Sequence, residues 1–201
     1  MVASGYGRIQ AYFRTLKIMK NTKRKIQIGV MGSDADLSYS KATEKIAEEV
    51  GYWIAKKKAT LLFGAEKDMD SLSTAACRGA KRAKGLAIGI SYGKGLQSFD
   101  QSADAIITSG SERGGGRELV LVLSSDAIIT IGGGSGTLNE ITIAYQAGIP
   151  IVALANTGGW SKKLAGKYLD ARKRIKIESA KTPKEAAEKA IELVSHHNQS
   201  L

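Results

Sequence analysis

Short apolar runs alternate with amphipathic stretches along most of this chain. The runs predict buried strands at residues 26–31, 60–63, 86–90, 105–108, 127–131 and 151–155. Between them, helical spacing predicts helices over 38–57, 69–83, 117–123 and 137–147. The first of these carries Ala42, Ile46, Val50 and Trp53 or Ile54 on one face. Gly64 is expected to stop the second strand, Gly148 to end the fourth helix, and Gly158-Gly159 to lie in a loop. A last edge strand is expected at 175–178 and a terminal helix at 184–194. Thr182, Pro183 and Glu185 form the capping box that opens this helix.

Strands this short and continuously apolar, alternating with helices, mean a parallel sheet covered on both faces. The predicted class is α/β: Rossmann-like, doubly wound, mainly parallel. No linker or repeat divides residues 26–195, so one domain is expected there. A basic extension over 1–25 precedes it and a tail over 196–201 follows. In such folds ligands bind beyond the carboxyl ends of the strands. Glycines gather there in this chain, at 32, 64, 93, 95, 132–134, 158 and 159 among others.

Composition narrows the classes. The chain has 201 residues, of which 43% are hydrophobic, which suffices for one core and excludes disorder as the main state. No apolar run approaches the roughly 20 residues of a membrane-spanning helix. With Cys77 as the single cysteine, no intrachain disulfide can form, and a cytoplasmic location is expected. Cys77, in an apolar helical run, reads as a buried small side chain, and His196 and His197 as a frayed tail. One cysteine and two adjacent histidines make no metal site of usual spacing. Asp34 and Asp36 read as turn and helix-start acids.

The net charge of +11 invites a nucleic-acid reading, but its distribution opposes one. Residues 1–25 hold seven of the 30 basic residues and none of the 19 acids, leaving 23 against 19 elsewhere. Within that leader Ile9, Tyr12, Phe13 and Leu16 have amphipathic helical spacing. It reads as a helix that packs on the domain or on a partner subunit, with membrane, nucleic-acid or targeting roles as alternatives. No recognisable nucleic-acid module accompanies it, and Met19 is a second candidate start.

The stretch Gly132-Gly133-Gly134-Ser135-Gly136-Thr137-Leu138-Asn139-Glu140 follows a strand and opens a helix. Glycines let backbone N–H groups approach an anion, and the helix N-terminus adds partial positive charge. This is a phosphate cradle, and without a lysine after the last glycine it is not a Walker loop. Thr137 and Glu140 also have the spacing of a capping box, so Glu140 has a purely structural alternative.

This stretch resembles the P-G-G-x-G-T-x-x-E motif of the LOG family, phosphoribohydrolases once mislabelled lysine decarboxylases. Arg117 lies 15 residues before Gly132, at the offset of that family's catalytic arginine. Asp126, the strand 127–131, the Gly32-Ser33 turn and the helix segment 75–80 extend the likeness over residues 26–195. Thr157-Gly158-Gly159-Trp160 is similar to a short branch of the superfamily that includes a molybdenum cofactor carrier protein. The chain departs from the pattern at three places. Gly132 replaces the proline, Glu118 replaces a lysine after the arginine, and Gly64-Ala65-Glu66-Lys67-Asp68 replaces a glycine run.

The resemblance implies that a nucleoside 5′-monophosphate binds with its phosphate on Gly32, Ser33, Gly133, Gly134, Ser135, Gly136 and Thr137. Its N-glycosidic bond then breaks to give base and ribose 5-phosphate, with Arg117 orienting the ligand. Glu140 stabilises the oxocarbenium-like charge or activates water. Gly64, Lys67, Gly158, Gly159 and Trp160 are candidate ligand contacts. A salt bridge from Arg117 to Glu140 or Asp126 is the structural alternative. No metal or cofactor is required. In the second reading the same cradle holds a phosphorylated cofactor such as molybdenum cofactor without turnover, and Trp160 offers a stacking surface. A homodimer or higher oligomer is implied in either case.

Overall fold

The computed structural model describes residues 24–111 and 116–197. The predicted leader helix around Tyr12 and Phe13 lies outside them, as does Met19.

Seven strands form one all-parallel sheet: β1 (Gln27–Gly32), β2 (Thr60–Ala65), β3 (Ala87–Ser91), β4 (Ala105–Thr108), β5 (Ala127–Ile131), β6 (Ile151–Leu154) and β7 (Ile177–Ala180). Their order is β4-β3-β2-β1-β5-β6-β7. The chain therefore reverses its winding direction at β1, which pairs with β2 on one side and β5 on the other. Gly32 and Ile131 stand in register at the carboxyl ends of that central pair. A topological switch of this kind opens a crevice between the two loops that leave it.

Six helices are described: α1 (Lys41–Lys56), α2 (Leu72–Arg82), α3 (Arg117–Leu123), α4 (Ser135–Ala147), α5 (Gly159–Leu164) and α6 (Pro183–His197). Strand alternation sends successive side chains to opposite faces, and two clusters result. Val50 and Ile54 of α1, Leu72 and Ala76 of α2, and Ala187 of α6 bury against Val30, Phe63 and Ile129. Leu121 of α3 and Ile141 and Tyr145 of α4 bury against Met31, Leu62 and Ile128, with Trp160 and Leu164 of α5 packed alongside. Three helices thus cover each face, as the doubly wound expectation requires.

Local signals explain the boundaries. Ser40 and Ser71 cap α1 and α2 by accepting from the N–H groups of Thr43 and Thr74. Gly148 closes α4 in the left-handed region at φ 73°. Four expectations shift. Strand β2 runs through Gly64 to Ala65, because glycine does not end a strand buried on both sides. Residues expected as a loop at 158–159 instead open α5. The last strand sits two residues later than expected, and α6 runs on to include His196 and His197. In the terminal capping box Glu185 accepts from the N–H of Lys181, one residue upstream of the usual partner. Cys77 is fully buried, and desolvation pushes its thiol up to about 11. Among the described residues no helix is long and apolar enough to cross a membrane.

Candidate functional site

The crevice at the switch point is a cleft of about 420 Å³. It is lined by several segments. The turn after β1 supplies Gly32, Ser33, Asp34, Asp36 and Leu37, the end of β2 supplies Gly64 and Glu66, and β3 delivers Tyr92. Helix α3 gives Arg117 and Glu118, and the glycine loop with α4 gives Gly134, Ser135, Gly136, Thr137, Asn139 and Glu140.

The open end is made of backbone. Helix α4 starts at Ser135, with Gly134 at the N-cap and no side chain capping it. The first N–H groups of a helix have no intrahelical acceptor, and here no capping side chain takes them, in contrast to α1 and α2. Ser135 and Gly136 are exposed. This start also decides between the two readings of Thr137 and Glu140. Thr137 is the third residue of the helix and not its N-cap, so the pair is not a capping box, and Glu140 turns into the cleft.

A bracing layer lies behind the loop. The Gly133 N–H donates to Ser33 Oγ at 2.8 Å, and the Gly132 N–H to Thr157 Oγ1 at 2.8 Å. Trp160 N–H and Ser161 N–H donate to the carbonyls of Gly133 and Gly132 at 3.1 and 2.9 Å. Gly159 packs so closely that a Cβ there would stand 2.5 Å from Gly133 O. Gly158, Gly159 and Trp160 therefore support the loop from beneath and do not line the cleft. Trp160 packs in the second core cluster, with Lys163 Nζ 4.4 Å from its ring centre. Lys67 is not among the lining residues, and its Nζ lies toward Gly95. The Gly133 amide is already engaged by Ser33, which makes Ser33 a brace as well as a lining residue.

The closed end is made of charged side chains. Arg117 Nη2 contacts Glu66 Oε1 at 3.0 Å, Glu118 Oε1 at 3.6 Å and Tyr92 Oη at 2.7 Å. Its guanidinium carbon is 4.5 Å from the Tyr92 ring centre. The missing side chain of Gly64 makes room for this group, since a Cβ there would meet Arg117 Nη1 at 1.8 Å. Burial lowers the Arg117 pKa, but the charges of Glu66 and Glu140 outweigh it and raise the value. Neither expected structural partner is the one found. Asp126 pairs with Arg24 at 2.5 Å, and Glu66, from the loop that departs from the LOG pattern, takes the arginine. Glu140 is 5% exposed, and desolvation pushes its carboxyl up to about 8; the charge of Arg117 opposes the shift, while Glu118 and Glu66 add to it. Asp34 and Asp36, read from sequence as turn acids, also face the cleft.

Sequence reasoning thus gathered Arg117, Glu140, Gly32, Ser33, Gly64 and the loop 134–137 around one space. It missed Tyr92 and Leu37. Tyr92 directly follows β3, at the end of the sheet where ligands bind, and that position was the available signal.

The SLOG cluster4 family model matches residues 25–187. The structure of the molybdenum cofactor carrier protein of Chlamydomonas reinhardtii is 28% identical and covers 86% of this chain and 99% of its own, with a TM-score of 0.72. That of the molybdenum cofactor binding protein of Rippkaea orientalis is 30% identical and covers 88% of this chain and 99% of its own, with a TM-score of 0.70. An uncharacterised protein of Archaeoglobus fulgidus is 35% identical over 129 residues, 64% of this chain and 80% of its own. With the family match spanning most of its length, the chain belongs to the SLOG cluster4 family.

Proposed function

We propose that this protein binds a phosphorylated pterin of the molybdenum cofactor class and holds it without turnover. The observation that carries the reading is the engagement of Arg117 by Glu66 and Tyr92 at the closed end of the cleft. A hydrolase needs that guanidinium for its substrate, whereas here it is already tied into the wall. Glu140 adds to the argument. With desolvation pushing its carboxyl up to about 8, it is mostly protonated at pH 7, which weakens it as a fixed negative charge opposite an oxocarbenium ion. The phosphate end rests on Ser135, Gly136 and Thr137, whose amides face a site of positive helix-end potential. Two solved structures of similar sequence are described as molybdenum cofactor carrier or binding proteins.

The test is to purify the protein from cells that make molybdenum cofactor and from cells that cannot. Oxidised pterin fluorescence is then read from each preparation. Near-stoichiometric pterin in the first preparation alone is the expected result. Absence of pterin, together with release of free base from nucleoside monophosphates, contradicts the reading.

Phosphoribohydrolase activity is the second reading, favoured by Glu140 and Arg117 lining one cleft. It carries its own signature: turnover rises with pH up to about 8, as Glu140 loses its proton. Either way, a second copy is expected to cover the exposed Leu119, Val120 and Leu123 of α3.

A further inference from the structure

The closed end of the cleft contains polar atoms that no described residue answers. Glu118 is 6% exposed and lines the cleft. Its Oε1 faces Arg117, while its Oε2 is buried without a hydrogen-bond partner among the described residues. Arg117 Nε is a buried donor in the same condition. Neighbours in sequence on the first turn of α3, the two atoms do not satisfy each other. Buried orphans of this kind are costly and rare, and a ligand donor that meets Glu118 Oε2 removes its share of the cost.

The surroundings define the ligand's chemistry. Glu66 and Glu118 contact the Arg117 guanidinium, and Asp34, Asp36 and Glu140 line the same cleft. Glu118 Oε2 has no such contact among the described residues and calls for an N–H donor on the ligand. No cluster of His, Cys, Asp or Glu among the described residues has the geometry to hold a metal ion.

We propose that Glu118 selects the ring of the ligand by accepting two adjacent N–H donors of a 2-amino-4-oxo edge. This edge is common to pterins and guanine. Its two adjacent donors match the two oxygens of the carboxylate. Part of the Glu118 side chain already reaches the cleft, and the last torsion of a glutamate is soft, so Oε2 turns toward a ligand at little cost. The inference rests on the reading of the cleft as a site for a phosphorylated ring.

Guanosine monophosphate, inosine monophosphate and ribose 5-phosphate are titrated calorimetrically into the full chain, and free base is assayed in the same samples. The two nucleotides differ only in the 2-amino group. Guanosine monophosphate is expected to bind at least about tenfold more tightly than inosine monophosphate, as befits a charge-assisted hydrogen bond. Glu118→Gln should bring that ratio toward one, because the amide has one acceptor oxygen for the two donors of guanine, whereas that oxygen still meets the single N–H of hypoxanthine. Equal affinities in the native chain overturn the inference and leave the phosphate cleft standing. Failure of all three ligands, ribose 5-phosphate included, removes the cleft reading and the inference with it. If Glu118→Gln does not fold, the native ratio alone decides.

Discussion

At its open end the cleft presents backbone, the first turn of α4 with Ser135 and Gly136 exposed. At its closed end it presents Glu66, Arg117, Glu118 and Glu140, none more than 7% exposed. In the proposed reading the open end attracts an anion through fixed dipoles that do not titrate. The closed end depends on burial and on the contacts of Arg117 with Glu66 and Glu118. Anion binding and fold stability then reside in different halves of one site, and substitutions should separate them.

The largest expected effect is at the closed end. Glu66→Ala leaves Arg117 buried without its nearest carboxylate, and breaking a buried pair costs about 3–5 kcal/mol. Urea unfolding measures it. A loss below about 1 kcal/mol, the range of an exposed pair, would show that the Glu66–Arg117 contact does not hold this wall together.

The pH dependence comes next. Glu140 has its proton held up to about 8, against an ordinary value of 4.5. Between those values the folded chain keeps a proton that the unfolded chain has released. Stability therefore falls as pH rises through that window and levels off above about 8. Glu140→Gln removes this contribution. Its melting temperature should exceed that of the native chain at high pH, and the gap should close as pH falls toward 4.5. Parallel melting curves across the range would contradict the buried, neutral carboxyl.

The smallest effect belongs to the open end, and its sign is opposite. A Cβ at Gly136 meets nothing within 4 Å. Gly136→Ala should stabilise the helix by up to about 1 kcal/mol while placing a methyl group beside the amides. Weaker phosphate binding with unchanged or higher stability is the outcome that separates the two ends. Chemical denaturation and phosphate titration read both quantities from one preparation.

The two ends also differ in how far sequence revealed them. The glycine loop was legible because its shape is carried by backbone, and glycine spacing after an apolar strand reports backbone directly. The alternation of strands and helices was legible for the same reason, since burial on both faces leaves continuous apolar runs such as 127–131. The closed end was only half legible. Arg117 and Glu140 could be placed by motif, and Glu66 was visible as a departure. That Glu66 turns onto Arg117 depends on β2 continuing through Gly64 and on Tyr92 arriving from β3. Contacts between residues 51 positions apart are set by sheet order, which no local pattern encodes. Helix α5 escaped for another reason: Gly158 and Gly159, both at positive φ, read as loop residues yet form its start.

In the proposed reading the cleft holds a phosphorylated ring by two unlike ends. A crystal structure of the protein with guanosine monophosphate puts this to the test. Phosphate oxygens should lie within hydrogen-bond distance of the Ser135, Gly136 and Thr137 amides, with the base edge against Glu118. A phosphate seated on Arg117, with the base at the mouth of the cleft beside α4, would contradict it.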